Sequence, residues 1–167
     1  DYSSGTIMVK FSPDGKYIVT ESSEDRINIR EVSAGKLEKI LIGHKKGILS
    51  ICYSPDGKYI VTGSGDKTIK VWSAVSGKEI KSLTGHTYSV TSVDYSSDGK
   101  YIVSGSLDNT VKLWDVSSGK EVRTFTGHSE CVTGVKFSPD GKCIASSSMD
   151  NIVKLWDISS GKEIKNL

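Results

Sequence analysis

A unit of 42 residues recurs four times along the chain, and this repeat constrains the fold more than any other feature. Gly85-His86 has a counterpart 42 residues earlier at Gly43-His44 and another 42 residues later at Gly127-His128. A fixed period of roughly 20 to 50 residues indicates one supersecondary unit that is stacked on copies of itself. The sequence therefore predicts one repeat domain over residues 1–167, with units at 1–42, 43–84, 85–126 and 127–167.

Each unit reads as four short β-strands separated by turns. In the third unit the apolar or alternating runs are Ser89–Tyr95, Tyr101–Ser106, Thr110–Trp114 and Glu121–Phe125. The segments between them are rich in Ser, Asp, Asn and Gly, which are the residues that favour turns. No helical period is present in the sequence, so we predict an all-β chain in which each unit forms a four-stranded antiparallel sheet.

The turn and tryptophan positions also follow the repeat. In the third unit a Gly-His pair precedes Asp108, and Trp114-Asp115 follows six residues after that turn Asp. This pattern resembles the WD-repeat (Trp-Asp) β-propeller family over the whole chain. The resemblance implies that each unit is a propeller blade, and that the chain is a non-catalytic scaffold for protein–protein interaction.

Three of the units share a set of four side chains. The sets are His44, Thr62, Asp66, Trp72, then His86, Ser104, Asp108, Trp114, then His128, Ser146, Asp150, Trp156. Ser, His and Asp together are the residue types of a hydrolase triad. The threefold recurrence of the set and the lack of a nucleophile elbow argue against catalysis. The resemblance implies a structural tetrad instead, in which Asp orients His, His bonds to the hydroxyl, and the hydroxyl meets the indole N–H. We therefore expect no catalytic residue, no cofactor and no metal site.

The first unit departs from this pattern. It has Tyr2, Glu24 and Arg30 where the others have His, Asp and Trp, and only the hydroxyl residue is kept, as Thr20. Two interpretations stay open: sequence drift in a blade that still packs, or a terminal blade that is adapted to an interface.

The composition favours some classes of protein over others. The chain has 22 Lys and Arg against 20 Asp and Glu, so a dedicated nucleic-acid binder is disfavoured. No apolar run is long enough to span a membrane. The three cysteines, Cys52, Cys131 and Cys143, lie in unlike places without metal-ligand spacing, which favours free thiols and a reducing compartment, the cytoplasm or alternatively the nucleus.

Two surfaces are candidates for partner binding. The resemblance implies that a protein or peptide partner binds the rim that carries the Gly-His and Asp-turn loops. The rim residues that we single out are Leu49, Tyr88, Thr91, Leu107, Thr133 and Met149. The alternative is an acidic surface, nucleic acid or lipid, bound by lysines on the opposite face, which are Lys16, Lys58, Lys100, Lys142, Lys36, Lys78, Lys120 and Lys162. Neighbouring Asp and Glu residues offset much of that charge.

Four blades of this family are expected to span half of an eight-bladed ring, because such blades resemble those of rings with about seven or eight members. We therefore predict that two chains form a homodimer that completes the ring. The other explanation is that the chain is a piece of a longer protein that supplies the missing blades, and both can hold. The prediction assumes that a half-ring leaves one face of the first unit and one face of the fourth unit uncovered, and that these faces are apolar. The residues expected there are Val9, Phe11, Ile18, Val135, Phe137 and Ile144.

Overall fold

The computed structural model describes residues 8–22 and 25–167, which form four four-stranded antiparallel sheets and contain no helix. The first sheet has β1 (Val9–Phe11), β2 (Tyr17–Ser22), β3 (Arg26–Glu31) and β4 (Leu37–Ile42). The second has β5 (Ile48–Tyr53), β6 (Tyr59–Ser64), β7 (Ile69–Ser73) and β8 (Glu79–Leu83). The third has β9 (Val90–Tyr95), β10 (Tyr101–Ser106), β11 (Val111–Asp115) and β12 (Glu121–Phe125). The fourth has β13 (Val132–Phe137), β14 (Cys143–Ser148), β15 (Val153–Asp157) and β16 (Glu163–Asn166).

Strands pair in chain order within every sheet, so each sheet is a meander with its first strand on the inside and its last on the outside. β9 lies beside both β5 and β13, which places the inner strands of consecutive sheets next to each other. This arrangement confirms the predicted all-β class and is that of consecutive propeller blades.

The turn between the first two strands of each sheet is built by local side-chain hydrogen bonds. In the second sheet the Ser54 hydroxyl donates to Asp56 Oδ1 at 2.7 Å and accepts from the Tyr59 amide at 2.9 Å. Gly57 closes the turn at a φ of +71°, a conformation that costs Gly little. The Ser-Pro-Asp-Gly segments therefore fix the loop on one edge of the sheet.

The apolar core lies between the sheets. Val103, Leu113 and Phe125 of the third sheet pack against Ile144 and Trp156 of the fourth, and all five are at most 2% exposed. Because strand side chains alternate between the two faces of a sheet, the second and third sheets each pack one face against the preceding sheet and the other face against the following sheet. Truncating one such tryptophan to Ala is expected to cost about 3–5 kcal/mol.

Polar contacts also join neighbouring sheets near their inner strands. The Thr91 hydroxyl lies 2.6 Å from the Val132 carbonyl oxygen and 3.0 Å from that of Gly105. Lys136 Nζ donates to Asp94 Oδ1 at 2.6 Å. These bonds fix the register of the third sheet against the fourth.

The expectation of two bare faces holds for the first sheet and fails for the fourth. On the first sheet Val9 and Phe11 are exposed, at 50% and 61%. On the fourth sheet, however, Val135 and Ile144 are 3% and 0% exposed and pack against the third sheet, and Phe137 packs beside them. The prediction that these three residues lie on a bare face is wrong, because the alternation of side chains directs them towards the preceding sheet.

The outward face of the fourth sheet is lined instead by the neighbours of those residues along the strands. Ala145 pairs with Leu155 in the register of β14 and β15, and Ser147 pairs with Val153. In the third sheet, Val103 stands at the position of Ala145. The outward face of the fourth sheet is therefore less apolar than the corresponding face of the third sheet, which packs against the fourth.

Candidate functional site

A continuous hydrogen-bond network joins four side chains within the third sheet. His86 Nδ1 lies 2.7 Å from Asp108 Oδ2, and His86 Nε2 lies 2.8 Å from Ser104 Oγ. The Trp114 indole N–H donates to the same Ser104 oxygen at 2.8 Å. The network links the turn after β10 to the loop before β9 and to the middle of β11.

The second and fourth sheets repeat this geometry. His44 bridges Asp66 at 2.9 Å and Thr62 at 2.7 Å, with the Trp72 indole 2.9 Å from the same hydroxyl. The corresponding distances are 2.7, 2.8 and 2.8 Å for His128, Asp150, Ser146 and Trp156. The structure thus brings together every member of the three predicted sets.

The proton arrangement of each network follows from what each group can donate. An indole N–H can only donate, so the Ser104 oxygen accepts from Trp114 and its own hydrogen is available to His86 Nε2. The His86 Nδ1–H then donates to the carboxylate of Asp108. One hydroxyl therefore satisfies two buried partners.

These hydroxyls are closed to any substrate. Thr62 and Ser104 are 0% exposed and Ser146 is 1% exposed. Each lies between a histidine ring and a tryptophan ring that pack edge to face. A nucleophile must reach a substrate carbon, and these oxygens cannot do so in the folded chain.

The turn carboxylates are held in the charged form. Burial by itself raises the pKa of Asp66, but hydrogen bonds from the Thr68 hydroxyl, the Lys45 amide and His44 lower it to about 2. For Asp108, burial is likewise outweighed by hydrogen bonds from His86 and Thr110, and its pKa lies well below the usual range. Burial lowers the pKa of His44, which keeps that ring neutral near pH 7.

The network also includes the glycine of the Gly-His pair and two residues that were not singled out from the sequence, Thr110 and Ser106. A Cβ on Gly85 would lie 3.0 Å from Trp114 Cη2, which explains why glycine precedes the histidine. The Thr110 hydroxyl donates to Asp108 Oδ1 at 2.6 Å, and the Ser106 hydroxyl donates to the Tyr88 carbonyl oxygen at 3.2 Å. For Thr110 and Ser106, the available signal was their recurrence as Thr68 and Ser64 in the second unit.

The first sheet has no such network among its described residues. Arg30 stands at the tryptophan position and donates to the Gly35 carbonyl oxygen at 3.2 Å. Tyr2 and Glu24, which replace the histidine and the turn aspartate, lie outside the described residues. No pairing of Glu24 with Arg30 is therefore described.

The residues predicted for the rim differ in their exposure. Tyr88 and Met149 are 60% and 61% exposed, and Leu49 is 42% exposed. Thr133 is also exposed, whereas Leu107 is half-buried. Thr91 is half-buried as well, because its hydroxyl joins the third sheet to the fourth.

The loops of this rim support each other across sheet boundaries. The Lys67 ammonium lies 5.5 Å from the centre of the Tyr88 ring, a cation–π contact between the second and third sheets. The Asn109 amide donates to the Ser129 carbonyl oxygen at 3.2 Å, which joins the third sheet to the fourth. The rim loops of the second, third and fourth sheets are therefore joined by direct side-chain contacts.

On the opposite face, lysines pair with the aspartates of their own turns. Lys58 Nζ lies 3.2 Å from Asp56 Oδ2, and Lys100 Nζ lies 3.7 Å from Asp98 Oδ2. These pairs are exposed, so each contributes little to stability, but they offset the positive charge of the face.

Over residues 8–22 and 25–167 there is no cluster of three or more His, Cys, Asp or Glu side chains that could hold a metal ion. No helix in that part of the chain is long and apolar enough to cross a membrane.

A search among curated proteins found no match to the chain. The sequence model of the family described as WD domain, G-beta repeat, matches three times, at residues 35–73, 77–115 and 119–157. Each matched segment begins with the outer strand of one sheet and continues through the first three strands of the next. The matches cover more than half of the chain, and the chain therefore belongs to the WD-repeat family.

Proposed function

We propose that this chain is a non-catalytic scaffold whose protein partner binds the rim that carries the Gly-His and Asp-turn loops. WD-repeat domains generally mediate protein–protein interaction. The observation that supports the location is the exposure of Tyr88 and Met149 on the rim loops and of Leu49 at the start of β5. The Tyr88 loop is joined to the second sheet by the Lys67 contact. Exposed aromatic and methionine side chains on a preorganised surface are typical of interface anchors.

Two observations support this function over its competitors. Hydrolysis by the His, Ser and Asp sets is disfavoured because the hydroxyls of Ser104 and Thr62 are fully buried. Binding of nucleic acid or acidic lipid by the lysine face is disfavoured because Lys58 and Lys100 already pair with carboxylates.

Paired surface variants test the location. We expect Tyr88→Glu and Met149→Lys to weaken binding of a protein captured by the full chain, each by tenfold or more, without a change in melting temperature. Lys58→Gln with Lys100→Gln is the matched control and should leave affinity unchanged. Binding that survives the rim variants but is lost in the lysine double variant would move the site to the opposite face.

We also propose that two chains associate into an eight-bladed ring. The apolar surface of Val9 and Phe11 on the first sheet supports an additional neighbour there. At a junction between the fourth sheet of one chain and the first of the other, Lys10 would occupy the place that Lys136 has inside the chain, but it would face Lys136, which is already paired with Asp94, and no carboxylate of its own. We therefore expect a dimer that is weaker than the internal interfaces, because the ion pair between the inner strands is missing at the junction.

The described thiols are free, at Cys52, Cys131 and Cys143. Free thiols suit a reducing compartment, and we propose the cytoplasm or the nucleus as the location. Fluorescence microscopy of a tagged full-length protein tests this, and secretion into the medium would contradict it.

A further inference from the structure

A cleft of about 400 Å³ lies between the first and second sheets, on the edge opposite the rim. Its walls include the apolar parts of Tyr17, Ile29, Tyr53, Ala74 and Val75. Burial raises the pKa of the Tyr53 phenol to about 12, in keeping with a partly dry wall. The volume falls in the range of roughly 300–1,000 Å³ that is usual for binding pockets.

The cleft is deep because of a substitution within the repeat. Ala74 stands where the third and fourth sheets have Val116 and Ile158, which pack against the apolar cores there. The smaller side chain leaves a passage down to Ile29, which is 2% exposed. The following residue, Val75, is 76% exposed at the mouth of the cleft, whereas the other sheets have serine at that position.

The cation of the cleft also differs from its counterparts. Lys81 Nζ donates to the carbonyl oxygens of Val116 and Ser117 in the next sheet, and Arg123 donates to that of Ser159 at 3.3 Å. Lys39 occupies the same position in the first sheet, and its stem packs 3.5 Å from the site of a Cβ on Gly77. Within residues 8–22 and 25–167 its ammonium has no hydrogen-bond or ion-pair partner. The charge of Lys39 acts on the neighbouring Glu38, but the Glu38 carboxylate pairs with Lys36 at 2.9 Å.

The carboxylates at the mouth are already engaged. Asp14 Oδ1 accepts from the Ser12 hydroxyl at 2.6 Å, and Asp56 accepts from Ser54 while Lys58 lies 3.2 Å away. The cleft between the second and third sheets has a similar volume of about 420 Å³, but its lining contains no lysine or arginine. Of these two clefts, only the one between the first and second sheets reaches a buried core residue, Ile29, and also has a lysine in its lining, Lys39, whose ammonium is not already bonded.

We propose that the cleft between the first two sheets binds a segment of a partner protein in which a bulky apolar side chain is next to a carboxylate. The apolar side chain enters above Ile29, between the tyrosines, and the carboxylate accepts hydrogen bonds from Lys39. A charged hydrogen bond in a partly dry cleft supplies orientation and specificity, and the apolar contact supplies burial. This site is separate from the rim and goes beyond the scaffold function proposed above.

A selection from a library of random 12-residue peptides, carried out on the full chain and on Ala74→Val, tests the proposal. Valine at position 74 fills the passage with the residue that the third sheet already uses. We expect the peptides that bind the unmodified chain but not Ala74→Val to share an aromatic or leucine residue beside Asp or Glu. Recovery of no such class, of basic peptides, or of the same peptides on both proteins would overturn the proposal.

One recovered peptide then separates the contribution of charge from that of shape. Lys39→Met should weaken its binding about tenfold, as expected for loss of a charged hydrogen bond. Lys81→Met is the matched control at the equivalent position and should leave its affinity unchanged, as should the rim variant Tyr88→Glu. Equal loss in Lys39→Met and Lys81→Met would indicate a general effect on folding and would refute the role of Lys39.

Discussion

Removal of one buried hydroxyl, by Ser104→Ala, is the sharpest perturbation of the networks. The oxygen accepts from the Trp114 indole at 2.8 Å and lies 2.8 Å from His86 Nε2, and Ser104 is 0% exposed. Both partners would lose their hydrogen bond in a site that water does not reach. An unsatisfied buried polar group costs about 1–3 kcal/mol, so we expect the free energy of unfolding to fall by about 2–4 kcal/mol. For a chain of this size, that corresponds to a melting temperature lower by roughly 5–15 °C.

The assay is urea and thermal unfolding followed by tryptophan fluorescence, with activity against an activated ester measured in parallel. Ser104→Thr is the matched control, because Thr62 makes both bonds at the equivalent position of the second sheet. We expect the threonine variant to keep most of the stability. The reasoning is refuted if Ser104→Ala is as stable as the unmodified chain, or if it loses an esterase activity while its unfolding curve is unchanged.

Three other predictions follow from the geometry. Acid should destabilise the fold, because the pKa of Asp66 is lowered to about 2 in the folded chain against about 3.9 in the unfolded chain. The contribution of Asp66 to stability is therefore present above about pH 4 and is lost as the pH falls towards 2. In a series of melts at different pH, Asp66→Asn should reduce this loss. Gly105→Ala should lower the melting temperature, because a Cβ there would lie 2.6 Å from Val132 Cγ1, between the third and fourth sheets. Gly99→Ala is the control: Gly99 has a φ of +72° and open space around it, so this variant measures the cost of backbone strain without a steric clash. Light scattering after size exclusion at micromolar concentration should give twice the 18.1 kDa of one chain. A mass of one chain with a cooperative melt would contradict ring completion.

The sequence was sufficient for the fold because the repeat supplies the same evidence several times. A turn such as Ser54 to Gly57 is specified by local chemistry, and the fixed register of the Gly-His pairs marks the sheet boundaries. Period-two alternation predicts that a strand has two faces, but it does not say which face meets which neighbour. For this reason the sequence alone does not predict that Val135 and Ile144 pack against the third sheet.

The candidate sites differ in how far the sequence could predict them. The networks of His86 and its equivalents are visible in the spacing, since each residue recurs with its partners. The cleft beside Lys39 is not visible in this way, because its depth depends on the absence of side-chain atoms at Ala74 and on a lysine that does not bond across the boundary. The half-buried state of Leu107 on the rim likewise depends on how the loops pack together.

Amide hydrogen exchange of the full chain, with and without a captured protein partner, tests the scaffold account most directly. The account predicts slower exchange on binding in the rim loops, around Tyr88 and Met149, and unchanged exchange in the Ser54–Lys58 turn on the opposite edge. Slower exchange confined to the lysine-bearing turns, with the rim loops unchanged, would contradict the account.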